Sequence, residues 1–180
     1  MKTNRPHINK DNYLQWLETI LEEGQYAKVR IRGLSMLPWF IPGNSITIQP
    51  LDKNKLQVGR VIVFQGENNW VAHRLIKINL KKGIYVTRGD ANLRNDSPLS
   101  LHQIKGIVVS ASPKHFFWSN MALGRTGKCL VTLQPYTAPL FWLMGRIALG
   151  IRRMMKQIGC LKKTNTGINN QSESSSDPKK

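Results

Sequence analysis

The sequence predicts a mainly β fold: a small antiparallel β domain, preceded by one helix and followed by a basic amphipathic helix. Three observations lead there. Between residues 26 and 112, short runs rich in Val, Ile, Phe and Tyr alternate with polar residues and are separated by turn-forming stretches. Ahead of that block, apolar residues recur at helical spacing. Behind it, a second apolar stripe is interleaved with Arg and Lys. The resulting division is an N-terminal arm and helix (1–25), a β domain (26–112), a basic segment with an amphipathic helix (113–163) and a polar tail (164–180).

In chain order, residues 1–11 read as a loose arm. Asn12 is placed to cap a helix that runs to about Glu23 and stops at Gly24. Tyr13, Leu14, Leu17, Ile20 and Leu21 form its apolar face, which suits packing on a sheet. Val29 and Ile31 alternate with Arg30 and Arg32, as in a half-buried strand over 27–32. Further strands are predicted over 45–49, 60–65, 70–78, 84–87 and 104–110. Gly66–Asn69 and Lys81–Gly83 read as hairpin turns. Residues 113–138 show no clear pattern. From Leu140 to Ile158 the spacing predicts a helix, with Leu140, Phe141, Leu143, Met144, Ile147, Ile151 and Met154 on one side. Arg146, Arg153 and Gln157 lie on the other. Such a helix can lie in a membrane interface or dock on its own domain. The Ser- and Asn-rich end from Asn165 predicts a disordered tail.

The 180 residues carry 27 basic and 10 acidic side chains, a formal net charge of +17. No Asp or Glu occurs between Asp96 and Glu173, an interval that holds ten Lys and Arg. A field of this sign favours anionic partners, either phospholipid head groups or nucleic acid. Lys114–His115–Phe116–Phe117–Trp118 mixes basic and aromatic residues as single-strand binders do, although no known nucleic-acid module is present. Cys129 and Cys160 have neither metal nor redox spacing, and two cysteines make no disulfide framework. The N-terminus has no apolar signal-peptide core, and no uninterrupted apolar run is long enough for a membrane span. These features lead us to expect a cytoplasm-facing protein held peripherally at a membrane through residues 140–158.

Three segments carry residues of chemical interest: Gly33–Leu34–Ser35–Met36–Leu37–Pro38, Val71–Ala72–His73–Arg74, and Thr87–Arg88–Gly89–Asp90–Ala91–Asn92 with Asp96 after it. A hydroxyl, an imidazole and a carboxylate from separate segments can converge as nucleophile, base and orienting acid. Taken singly, each residue has an ordinary structural use: Ser35 in a turn, His73 as a hydrogen-bonded core group, Asp90 as a turn former.

Taken in order, GLSMLP, PGNSITI, VGRVIVF, VAHRLI and TRGDANLRND resemble the boxes of the type I signal peptidase clan, which also contains the self-cleaving SOS repressors. The resemblance covers roughly residues 26–112. It implies a serine endopeptidase in which Ser35 is the nucleophile and His73 the base, as in the branch that resembles the ER and archaeal signal peptidases. It places Asp96 at that branch's third catalytic position and Asp90 in a mainly structural role. Gly33, Met36, Pro38 and Arg74 are the supporting residues of the matching boxes, and Arg74 is a candidate partner for an acid. Two positions depart from the pattern: Asn44 and Arg60 stand where the boxes carry an acid. Gly33 stands where some members carry a hydroxyl donor to the oxyanion. Some clan members use lysine as base, and Lys77 lies at even spacing from His73, so it competes for the role. No cofactor is expected. His73, His102, Asp90 and Asp96 show no zinc-type spacing, and His7, His102 and His115 have no motif around them. The implied partner is a signal or leader peptide with small residues before the cut. The rival reading is a non-catalytic, basic nucleic-acid-binding protein.

Overall fold

Leu14, Leu17, Ile20 and Leu21 lie on one side of helix α1 (Lys10–Glu22), and Leu17 and Leu21 are buried against the sheet. In this computed structural model, residues 10–67, 69–112, 123 and 126–169 are described. The helix begins three residues earlier than a cap at Asn12 implies, so Asn12 sits inside its first turn and not at its cap. Gly24 ends it with φ +80°, the left-handed conformation that suits glycine after a helix. Residues 1–9 of the expected arm lie outside the described residues.

Six strands form one antiparallel sheet: β1 (Ala27–Arg30), β2 (Ser45–Pro50), β3 (Val61–Gln65), β4 (Trp70–Asn79), β5 (Ile84–Arg88) and β6 (Ile104–Ser112). Their spatial order is β1-β2-β6-β3-β4-β5. The fold is thus mainly antiparallel β with one helix before the sheet and one after it. Both predicted hairpins form. The Gly66 N–H donates to the Asn69 carbonyl at 2.8 Å, and Gly83 closes the β4–β5 turn at φ +63°.

The sheet buries apolar side chains on both faces. Val61, Val63, Ile48 and Val108 pack with α1, Met36 and Phe40 on one side. Ile62, Phe64, Leu75, Tyr85 and Ile107 form a second cluster with Leu99 on the other. This explains why β3 reads Val-Ile-Val-Phe without alternation: a strand covered on both faces shows a continuous apolar run.

The C-terminal helix differs most from expectation. Helix α2 spans Thr126–Asn169 and contains Pro135 and Pro139. Each interior proline removes a hydrogen bond and crowds the preceding turn, at about 3 kcal/mol. Propensity therefore places the start after Pro139, and tertiary contacts move it earlier. Gly127, Gln134 and Ala138, at helical spacing, are all buried. At Gly127 the helix meets Gly59 so closely that a Cβ on Gly59 would lie 2.5 Å from the Gly127 carbonyl carbon. Gly59 also has φ +96°. The chain forms two compact units, 1–142 and 143–180, so the first extends past the expected boundary at residue 112. Residues 164–169, expected in the tail, belong to α2, whereas 170–180 lie outside the described residues. Among the described residues, no helix is long and apolar enough to cross a membrane.

Gly59→Ala should therefore destabilise the first unit by about 1–3 kcal/mol, the usual cost of overpacking. Urea denaturation would measure it, and an unchanged midpoint would mean that the crossing relaxes without cost.

Candidate active site

Ser35 follows β1 in a loop that returns to β2, and His73 lies on β4. The loop spanning residues 31–44 carries Ser35 to His73, although β1 and β4 are not neighbours in the sheet, and it is fixed at both ends and in the middle. The Ile31 N–H donates to the Asn44 carbonyl at 2.8 Å, and the Gly43 N–H to the Ile31 carbonyl at 2.9 Å. Met36 and Phe40 are buried in the core beside Ser35. The Ala91 N–H donates to the Ser35 carbonyl at 2.8 Å. Gly89 permits this approach, because a Cβ there would lie 2.6 Å from the Ser35 carbonyl oxygen.

The Ser35 Oγ lies 2.8 Å from His73 Nε2, and His73 Nδ1 lies 2.7 Å from Asp96 Oδ2. His73 is buried, and the Asp96 side chain is about one fifth exposed. The carboxylate selects the tautomer: it accepts from Nδ1–H, which leaves Nε2 free to accept the Ser35 hydroxyl proton. Asp96 is itself held. Its backbone N–H donates to the Thr87 carbonyl at 2.8 Å, and the Thr87 hydroxyl donates to Asp96 Oδ2 at 2.6 Å. The structure thus joins the three predicted catalytic residues in one hydrogen-bonded line, and Thr87 extends it. Thr87 lies inside the box that carries Asp90, but its part depends on a chain reversal between residues 88 and 96 that the sequence does not display.

Asp90 belongs to a different network. Arg74 Nε and one terminal nitrogen donate to its two carboxylate oxygens at 2.8 and 2.6 Å, with both side chains buried. The other terminal nitrogen of Arg74 donates to the Gly59 carbonyl at 2.8 Å. Buried ions require this kind of pairing, and the planar guanidinium fits a carboxylate with two parallel bonds. From α2, the buried Gln134 amide donates to the Gly89 carbonyl at 3.2 Å and to Asp90 at 3.3 Å, while its oxygen accepts from Arg88 at 2.8 Å. Burial pushes the Arg88 pKa below its ordinary value, and nearby Asp90 opposes the shift. Gln134 was not predicted. It lies in a stretch without legible pattern, and no sequence signal links it to residues more than forty positions away.

Gly33 is exposed, and a Cβ on it would lie 3.8 Å from the Ser35 Oγ. Pro38 is half-buried, and the Leu37–Pro38 peptide is cis. Lys77 does not share the environment of His73. The β4–β5 register shifts between Leu75 and Lys77, which breaks the even-spacing rule, and Lys77 is exposed. The side chain of Arg60 reaches the Leu123 carbonyl at 3.4 Å, and Asn44 serves the loop through its backbone. His102 bonds Ser100 locally, away from the site. The basic and aromatic run at 114–118, His7 and His115 lie outside the described residues. Among the described residues, no three His, Cys, Asp or Glu side chains are grouped as metal ligands. No family model matches the chain, and no curated protein matches it.

Asp90→Asn should destabilise the fold by about 3–5 kcal/mol, because it leaves the Arg74 charge buried without its counter-ion. Chemical denaturation would measure the loss. A change below about 1 kcal/mol would show that Arg74 finds water or another partner.

Proposed function

We propose that the protein is a serine endopeptidase of the signal-peptidase type, cleaving signal or leader peptides. The observation that carries this reading is the line Ser35 Oγ, His73 Nε2, His73 Nδ1, Asp96 Oδ2, with successive separations of 2.8 and 2.7 Å. Those are hydrogen-bond distances in the order that nucleophilic catalysis requires. The ordered boxes between Gly33 and Asp96 support the same family.

In this reading the Ser35 oxygen attacks the scissile carbonyl as its proton passes to His73 Nε2. Asp96 stabilises the resulting imidazolium through Nδ1–H, and the Ser35 backbone N–H donates to the oxyanion. Collapse breaks the peptide bond. His73 returns the proton to the leaving amine, and an ester on Ser35 remains. His73 then takes a proton from water, which attacks the ester and releases the new carboxyl terminus together with the serine hydroxyl. An extended substrate would bind beside a sheet edge, where backbone bonding is independent of sequence. Arg74 and Asp90 hold the base strand and do not react.

The second element of the proposal is peripheral attachment to an anionic membrane through α2. Leu140, Leu143, Met144 and Ile147, on the predicted apolar side, are exposed, as is Met154. The helix carries Lys and Arg but no acidic residue. Apolar side chains interleaved with cations fit the boundary of an anionic bilayer. Anionic lipids concentrate in the cytoplasmic leaflet, which supports a cytoplasm-facing location.

Ser35→Ala and His73→Ala should each lower peptide cleavage by a factor on the order of 10⁴ while the protein stays folded. Asp96→Asn should also be severely slowed. Cleavage of a candidate signal peptide by purified protein measures this, and wild-type rates in a folded variant of Ser35 or His73 would end the reading. The rate should fall on acidification, because protonated His73 cannot accept the Ser35 proton. Lys77→Ala should keep both the activity and that pH profile, whereas a dead but folded Lys77→Ala protein would move the base elsewhere.

For the membrane, deleting residues from 140 onward should weaken flotation with anionic liposomes. Equal flotation of full-length and truncated protein would remove the helix from that role.

A further inference from the structure

Strand β1 combines an open edge with a row of unpaired cations. It occupies one end of the sheet and, among the described residues, pairs with β2 alone. The opposite end is covered: β5 is bonded by the segment from Asp96 to Leu99, through Asp96 N–H to Thr87 at 2.8 Å and through Tyr85 and Leu99 at 2.8 and 2.7 Å. Among the described residues, β1 is therefore the free edge, and it leads directly to Ser35.

Ala27, Val29 and Ile31 turn inward and pack with α1. Lys28, Arg30 and Arg32 alternate with them and are exposed. Strand register places Lys28, and with it Arg30 two residues on, on the sheet face of the catalytic base, and Arg32 follows just beyond the strand. His73 pairs with Ile62, Ile62 with Ile107, and Ile107 with Gln49, so these four share a face. Thr47 is two residues from Gln49 on the same strand and pairs with Lys28. Among the described residues, no ion pair involves Lys28, Arg30 or Arg32. At a reach of at most about 3.6 Å per residue, the three cations lie no more than roughly 11, 18 and 25 Å from Ser35.

We propose that the segment of substrate lying along β1 is acidic, with Asp or Glu at alternate positions facing Arg32, Arg30 and Lys28. This rests on the peptidase reading and adds a substrate class to it. A peptide added to β1 keeps the two-residue period of a strand, so its alternate side chains meet the alternate cations. Directly opposed side chains lie about 4.5–5.5 Å apart at Cβ, within reach of charge pairing. Neutral or basic segments would bind the same backbone edge without that gain.

The experiment separates binding from cleavage. Folded Ser35→Ala protein is titrated with labelled extended peptides that share a central small-residue segment and differ in one flank: alternating Asp, alternating Asn or alternating Lys. We expect the Asp peptide to bind on the order of tenfold more tightly than the Asn peptide, from three exposed pairs of modest strength. Roughly 0.5 M salt should erase the difference. Reversing Lys28, Arg30 and Arg32 together to Glu should invert the preference. Reversing the exposed Lys53, Lys81 and Lys82 to Glu, at the same net charge, should leave it in place. Equal binding of the Asp and Asn peptides, or equal loss in the two triple variants, overturns the proposal. So does loss of anionic-vesicle or DNA binding in the β1 variant with peptide preference intact, because the row would then serve another polyanion. Wild-type protein is assayed for cleavage in parallel. Binding preference without cleavage of any peptide would count against the peptidase reading alone. Cleavage with no flank preference would count against the acidic segment alone.

Discussion

The ion pair between Arg74 and Asp90 fixes the geometry on which the rest of the site depends. Arg74 is fully buried, so its charge cannot be solvated and must be met within the protein. Two parallel bonds donated to Asp90 and a third donated to the Gly59 carbonyl do this. Together the three bonds tie β4 to two neighbours, the turn after β5 through Asp90 and the loop before β3 through Gly59. Because Arg74 adjoins His73, the pair positions the imidazole. Because Asp90 adjoins Ala91, whose N–H holds the Ser35 carbonyl, it positions the hydroxyl as well. A pair of this kind adds little net stability over apolar packing, but it tolerates few other arrangements.

The two aspartates six positions apart have different chemistry because of their surroundings. Asp90 is buried and saturated by Arg74 and Gln134, so its oxygens are committed to structure. Asp96 remains partly exposed and, among the described residues, meets no guanidinium. It accepts from a threonine hydroxyl and from an imidazole, and in the proposed reaction it meets the charge that forms on His73. The separation matters physically. A carboxylate already neutralised by a fixed cation would gain little from a new positive charge beside it, whereas Asp96 keeps that capacity.

Helix α2 contributes to the site from outside the sheet. Gly127 crosses Gly59 at backbone contact, and Gln134 fills the remaining hydrogen-bonding positions around Arg88, Gly89 and Asp90. The same Gly59 offers its carbonyl to Arg74. One glycine therefore serves both the buried ion pair and the docking of the helix, and the absence of a Cβ is needed for the second. The two prolines in this part of α2 oppose helix formation locally, and the docked face offsets them.

The sequence by itself determined the sheet. Period-two patterning, turn residues and the continuous run in β3 marked the six strands to within two residues at their ends, because burial on a pleated surface imposes that pattern directly. The ordered boxes also singled out Ser35, His73 and Asp96, and they separated Asp96 from Asp90. Only the tertiary structure decided which of these residues touch, since strand order β1-β2-β6-β3-β4-β5 is not encoded in local spacing. It also decided that Lys77 leaves the face of His73, because a bulge at residue 76 interrupts the parity on which a sequence count relies. The start of α2 at Thr126, the role of Gln134 and the hydroxyl of Thr87 belong to the same class. Each depends on partners distant in sequence, and local propensity, which favours breaking a helix at Pro135 and Pro139, is outweighed by contacts that exist only once the chain has folded.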